Sequence, residues 1–322
     1  MVCCGAQLIG NNMSATFPNT FLIGVQKAGT TTLDDWLSQH PDIYCYDSLK
    51  DVHLFYRFNS REEMEKRMAI ESPPYKGQKV VLQSAVNYIF YESMLQGIQS
   101  YAPDAKLLLI LRHPADRAIS AYQYFCKMRR ETRGVKEALL YEMKFGQGFS
   151  HDNSDFTYLE HGMYGRQVEI LLSYFARHQL LVLDYDALRS QPERLMHDIH
   201  SFLEIDVSFI PDFSAKNVTG NVKSQTLQNT VLSHNKYRKW IVDHIVDPVF
   251  PVTRRKALKQ KIFEWNTDRK TKAHHLKQSV TDDLIKEDMN TVRQKIAPLF
   301  EDDVRKLDKL LHTDFHAKWY PS

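Results

Sequence analysis

The chain has 322 residues, 43% of them apolar and 25% charged, with a formal net charge of only +3. That is the composition of an ordinary soluble globular protein with a sizeable core, and it suggests no nucleic-acid partner. No apolar run reaches the roughly 18 residues of a membrane-spanning helix, and the start "MVCCGAQLIGNNMSATFPN" lacks a secretory signal. A cytoplasmic protein is the expectation, with the Golgi lumen as the alternative only for a chain trimmed at its start.

Residues 1–17 read as a flexible N-terminal extension. Cys3, Cys4, Cys45 and Cys126 are too few and scattered for a disulfide framework and lack zinc spacing, so they read as reduced thiols. The sequons at Asn12 and Asn217 read as chance matches. The first predicted strand is "FLIGV" (21–25), followed by "QKAGTTT" and a helix with Leu33, Trp36 and Leu37 on one side. Further strands are predicted at "KVVLQSA" (79–85), "KLLLILR" (106–112) and "LLVLDY" (180–185), and their near-continuous apolar character suits a parallel sheet buried on both faces. Between them, Ile119, Tyr122 and Cys126 mark one helix, and Tyr164, Val168, Leu171, Leu172 and Phe175 another. Alternating strands and helices predict an α/β fold with a central parallel sheet flanked by helices. From about residue 225 the sequence reads as helices and loops, ending in a helix with Phe300, Val304, Leu307 and Leu311 on its buried side. Within it, residues 236–278 carry twelve Lys and Arg against four Asp and Glu. That excess reads either as a solvated helical face or as a surface for an anionic ligand or acceptor.

The loop after the first strand has the setting of an anion site. A helix N-terminus offers free N–H donors and the positive end of its dipole. Gly29 lets the backbone approach an anion, and Thr30, Thr31 and Thr32 supply hydroxyls, one of them a candidate helix cap. A nucleoside triphosphatase would carry G-x-x-x-x-G-K-[ST], with its lysine at the loop's end. Here Lys27 stands at the start and the loop is shorter, which suits one phosphate with an ammonium beside the next group outward. The plain alternative is a glycine turn that starts a helix. A second anion site follows in "LLLILRHPADRAIS", where Arg112 ends a strand, Pro114 breaks it and a helix presents Ser120. Open α/β sheets bind ligands at such strand ends.

Together these two motifs, about 85 residues apart, resemble those of the sulfotransferases that use 3′-phosphoadenosine 5′-phosphosulfate, the carbohydrate type including the heparan sulfate sulfotransferases and bacterial homologues. Lys27, Gly29, Thr30 and Thr31 match a K-x-G-T-[ST] loop for the 5′-phosphosulfate; Arg112, Pro114, Arg117 and Ser120 match an R-x-P-x-x-R-x-x-S motif for the 3′-phosphate. "KDVHLF", with Lys50, Asp51, His53 and Phe55, resembles a K-E-x-H-F-F element in which Asp51 stands where the family usually has Glu. Later blocks, "HGMYGRQVEILLSYF", "LLVLDYDAL" and "NVTGNVKSQTLQ", extend the resemblance over residues 18–320 as a single domain.

The resemblance implies a three-layer fold like that of the P-loop NTPases, with a helical C-terminal third. It also implies an enzyme that moves a sulfonate from 3′-phosphoadenosine 5′-phosphosulfate to a hydroxyl or amine of an acceptor, a carbohydrate or other small molecule, without a metal. Lys27 is expected to stabilise the leaving phosphate oxygen, and Ala28, Gly29, Thr30, Thr31 and Thr32 to hold the 5′-phosphate. Arg112 and Ser120 are expected at the 3′-phosphate, and Lys223 and Ser224 near the cofactor. Lys270 and Lys272 fall where relatives carry a basic loop, or else on a solvated surface. Asp51 is the expected base, with His53 as the alternative, because aspartate is shorter than glutamate by about 1.5 Å. A second departure is "LQSAVNYIF", where Gln83, Ser84, Ala85 and Val86 replace an E-K-[ST]-P-like segment near the acceptor and Tyr88 is expected to pack beneath the site. His161 and Tyr164 are expected at the start of a core-facing helix. The departures keep open a non-catalytic relative that binds only the nucleotide; a nucleotide kinase or NTPase on a related fold is the more remote alternative. Oligomeric state is not legible.

Overall fold

The computed structural model describes residues 17–46, 54–57, 62–64, 75–128, 130–145, 157–214, 221–222, 267–268 and 289–321. In chain order, β1 is Thr20–Gly24, α1 Thr30–Leu37, β2 Ile43–Cys45, α2 Leu54–Arg57, β3 Val80–Ser84, α3 Glu92–Tyr101, β4 Lys106–Leu111 and α4 Pro114–Lys127. Then come α5 Val135–Phe145, α6 Tyr164–Tyr174, β5 Leu180–Asp184, α7 Ala187–Ser190 and α8 Pro192–Leu203. A two-residue pair, β6 Asn221–Val222 and β7 Thr267–Asp268, precedes α9 Met289–Ile296, α10 Glu301–Leu311 and α11 Phe315–Trp319.

Strands β1 to β5 form one sheet in the order β2-β3-β1-β4-β5. All four pairings are parallel. Every residue of β1 and β3 is buried, as is every residue of β4 after Lys106. This is why these strands read as unbroken apolar runs. The four strands expected from the sequence are all present within a residue or two. The fifth, β2, was not anticipated: three residues carry no periodic signal.

The helices close the core through the positions their spacing marks. Leu33, Trp36 and Leu37 of α1 are buried, as are Tyr122 and Cys126 of α4 and Tyr164, Val168 and Leu171 of α6. Phe300, Val304, Leu307 and Leu311 join the same hydrophobic cluster. The C-terminal third is therefore helical where α9, α10 and α11 are described, but it also contributes the antiparallel β6–β7 pair, too short to see in the sequence.

The strand order places β1 between β3 and β4. After β1 the chain builds the β3 side, then crosses to β4 and β5. Such a reversal opens a crevice at the carboxyl ends of the strands, where doubly wound sheets bind ligands.

Candidate active site

β1 ends at Gly24, and the loop from Val25 to Gly29 leads directly into α1. The Val25 amide donates to the Ile110 carbonyl at 3.0 Å, so the loop leaves the sheet still tied to β4. Lys27 has φ 70°, a left-handed conformation costing a non-glycine residue about 1–2 kcal/mol. Gly29, at φ 82°, is the N-cap of α1. A Cβ there would lie 2.4 Å from Leu188 Cδ1 and 3.3 Å from the Tyr185 ring, so the position requires glycine on both counts. No threonine caps the helix: Gly29 takes that place without a side-chain bond, because its left-handed backbone makes the turn. Thr30, Thr31 and Thr32 form the first turn, where N–H groups have no intrahelical acceptor. Thr30 is buried, Thr31 exposed and Thr32 half-buried.

On the neighbouring strand, Arg112 follows the last residue of β4. His113 caps α4, its Nδ1 accepting from the Ala115 amide at 3.2 Å, and Pro114 occupies the first turn, where its missing N–H costs nothing. The Arg112 guanidinium donates to the Lys27 carbonyl at 3.1 Å. It also lies 4.6 Å from the centre of the Tyr185 ring. Tyr185 stands just past β5, its amide bonded to the Leu111 carbonyl at 2.8 Å. The Tyr164 hydroxyl donates to the Arg112 carbonyl at 2.9 Å and fixes the strand end from the α6 side. Ser120, half-buried, lies further along α4.

The Lys27 ammonium sits over the Tyr124 ring, 4.0 Å from its centre. Burial, and next the charge of Arg112, bring its pKa down from 10.5 to about 8. The crevice thus holds an ammonium and a guanidinium from two adjacent strand ends, beside the first turn of α1 with its amides that lack an intrahelical acceptor. That is the chemistry of a site for a small dianion.

Arg117 belongs to the motif by sequence but is fully buried, and it donates to the Tyr158 carbonyl. Glu142 accepts from the amides of Leu159 and Glu160 at 2.8 Å each, and from that of Tyr158, on the same segment. Arg117 therefore packs the 157–160 segment rather than facing the crevice. Gln83 and Ala85 are fully buried and Ser84 nearly so, its hydroxyl donating to Asp34 of α1. Tyr88 is fully buried and its hydroxyl accepts from the Leu54 amide at 3.1 Å. His161 is buried and stacked on Phe90 at 3.8 Å, and burial keeps its pKa well below the ordinary histidine value.

Of the sequence-derived candidates, Lys27, Ala28, Gly29, Thr30, Thr31, Thr32, Arg112 and Ser120 lie on the β1 loop, α1, the end of β4 and α4. Asp51, His53, Lys223 and Ser224 lie outside the described residues, as do Lys50, Lys270, Lys272 and most of the basic 236–278 stretch. The sequence reading passed over Tyr124 and Tyr185. The signal of Tyr124 was its one-turn spacing from Ser120, whereas Tyr185 read as the last residue of the strand 180–185, which ends at Asp184 in the structure.

A parallel α/β sheet with a cationic loop at its switch point is an anion-binding arrangement of the doubly wound folds. The chain matches the family model of the sulfotransferase domain over residues 17–288 and belongs to that family. It is 30% identical over 196 residues to the mouse bifunctional heparan sulfate N-deacetylase/N-sulfotransferase 4, covering 58% of this chain and 22% of that protein. It is 25% identical over 187 residues to the human heparan sulfate glucosamine 3-O-sulfotransferase 6, covering 58% of this chain and 52% of that one. The chain thus spans about half, or less, of the length of these curated relatives. A crystal structure of a sulfotransferase from Alicyclobacillus acidocaldarius shares the fold, with a TM-score of 0.64 at 24% identity over 94% of this chain and 99% of that one. Among the described residues no helix is long and apolar enough to cross a membrane.

Proposed function

We propose that the chain transfers a sulfonate group from 3′-phosphoadenosine 5′-phosphosulfate to an amine or hydroxyl of a carbohydrate acceptor. The observation that carries this reading is the Arg112–Lys27 carbonyl bond, which joins two cationic strand ends into one crevice. A donor with phosphates at both the 5′ and 3′ positions of a ribose calls for two such anion sites side by side. The relatives named above act, by their names, on a glucosamine-containing glycan at an amine or a hydroxyl. They support a similar acceptor here.

In this reading the amides of residues 29–31 and the hydroxyls of Thr30 and Thr31 bind the 5′-phosphate, with Thr32 behind them and Ala28 shaping the turn through its amide bond to the Val25 carbonyl at 3.2 Å. Gly29, packed against Leu188 and Tyr185 with no room for a side chain, makes the left-handed turn that leads into those amides. Arg112 and Ser120 take the 3′-phosphate. The bound donor supplies an activated sulfonate on a phosphate leaving group. As the bond to sulfur breaks, negative charge grows on the bridging oxygen, and an ammonium there contributes most in the transition state. Lys27 has that role, and protonated it can also pass a proton to the departing phosphate. Asp51, or His53 in its place, removes the acceptor's proton, and Lys223 and Ser224 complete the nucleotide site. No step is assigned to a metal.

The direct test incubates the protein with donor labelled in its sulfonate and with N-desulfated and O-desulfated heparan-type glycans. The expected result is label on the glycan, formed about 10²- to 10³-fold more slowly by Lys27→Ala. Tight binding of the desulfated nucleotide with no transfer to any glycan or small hydroxyl acceptor would favour a nucleotide-binding relative without activity.

A further inference from the structure

Lys27 is held by an unusual neighbour. Among the described residues its ammonium makes no hydrogen bond and no ion pair. The charges acting on it are Arg112 at the end of β4 and Lys127 and Arg117 on α4, and all are positive. Against these repulsions stands the face of the Tyr124 ring, 4.0 Å from Nζ. Tyr124 lies four residues beyond Ser120 on α4, so ring and hydroxyl lie on one side of the helix, about one turn apart. A cation over an aromatic face is attracted by the ring quadrupole.

We propose that Tyr124 is a positioning residue whose ring face holds the Lys27 ammonium poised beside the β1 loop until a donor phosphate draws it away. The proposal rests on the sulfonate-transfer reading for its catalytic consequence, although the contact itself does not.

The choice of an aromatic ring over a carboxylate follows from the ligand's charge. An acid at this place would pair with Lys27 strongly, and its negative charge would repel a phosphosulfate. A ring attracts the ammonium without adding charge, so the lysine stays available. The ring also favours the charged form. Lys27 can lose its proton near neutrality, since its pKa lies at about 8. Losing the ring should therefore lower that pKa and leave a smaller fraction of the protein with a usable ammonium.

The test measures acetylation of Lys27 by acetic anhydride from pH 6.5 to 10 in the full chain, read by peptide mass spectrometry. Wild type, Tyr124→Phe and Tyr124→Leu are compared, with Tyr124→Met as a second ring-less variant should the leucine not fold. The proposal expects the same midpoint for wild type and Tyr124→Phe. For the ring-less variant it expects a midpoint lower by about half a unit. The alkaline limb of kcat/KM for the donor should move down with it, and kcat should fall more than KM rises. A ring-less variant that folds and keeps the wild-type midpoint overturns the proposal. Wild type that labels as expected but transfers no sulfonate overturns the functional reading and leaves the Lys27–Tyr124 contact standing.

Discussion

Lys27 and Arg112 are both cations in one crevice, yet their surroundings give them different work. Arg112 is stacked on Tyr185 and bonded to the Lys27 carbonyl, so its guanidinium is fixed and suited to gripping a ground-state phosphate. Arg112→Ala should weaken binding of adenosine 3′,5′-bisphosphate by about 10- to 100-fold, as a lost charge-assisted bond does; calorimetry reads this directly. Lys27 carries a single ammonium on an unbranched stem, held over the Tyr124 ring, with a depressed pKa. Lys27→Ala should lower kcat by about 10²- to 10³-fold while changing the bisphosphate Kd by only a few-fold, as expected of a group that acts on transition-state charge. The role proposed for Lys27 needs its proton, so it predicts that kcat/KM for the donor declines above pH 8 or so, where the free protein loses that proton. Lys27, Gly29 and Arg112 were legible in the sequence because a strand, a loop of fixed length and a helix start constrain which residue types fit. Tyr124 and Tyr185 were not, since an aromatic residue on a helix or beyond a strand reads equally well as core.

At the scale of elements, the site depends on α6, whose Tyr164 holds the end of β4. The first turn of α6 has no local side-chain cap. Its donors are met from far along the chain: Asp303 of α10 accepts from the Gly165 amide at 2.7 Å and the Arg166 amide at 3.0 Å. Asp303→Ala should lower stability by about 1–2 kcal/mol, the usual cost of a lost cap, measured by urea unfolding. Gly165→Ala should cost at least as much, because a Cβ there would lie 2.3 Å from the Asp303 carbonyl oxygen and push α10 off α6. Helices α1, α4, α6 and α10 were visible in the sequence through the spacing of their buried residues, down to Phe300, Val304, Leu307 and Leu311, whereas α3, α5 and α8 were not singled out. The distant cap was not, because capping patterns are read within one segment and Asp303 lies 138 residues from Gly165. Strand β2 and the β6–β7 pair escaped for want of length.

For the molecule as a whole, burial of His200 links stability to acid pH. His200 is fully buried, edge-on to His40 with ring centres 4.6 Å apart. Burial first, and then His40, lower its pKa from 6.5 to about 4. The native state therefore stays unprotonated there while the unfolded chain takes up a proton below about pH 6.5. His200 leaves stability unchanged above that pH and reduces it progressively as pH falls from 6.5 toward 4. Thermal unfolding at pH 7.5 and pH 5 should show a drop in Tm that is smaller in His200→Leu than in wild type, the difference isolating this residue from the carboxylates. Which ligand the crevice between β1 and β4 holds is read by calorimetric titration with adenosine 3′,5′-bisphosphate, adenosine 5′-monophosphate and ATP with magnesium, on wild type and on Arg112→Ala. The bisphosphate should bind tightest, and Arg112→Ala should erase its advantage over the monophosphate; tighter binding of magnesium ATP, or an advantage that survives loss of Arg112, would rule out a 3′-phosphate site at Arg112.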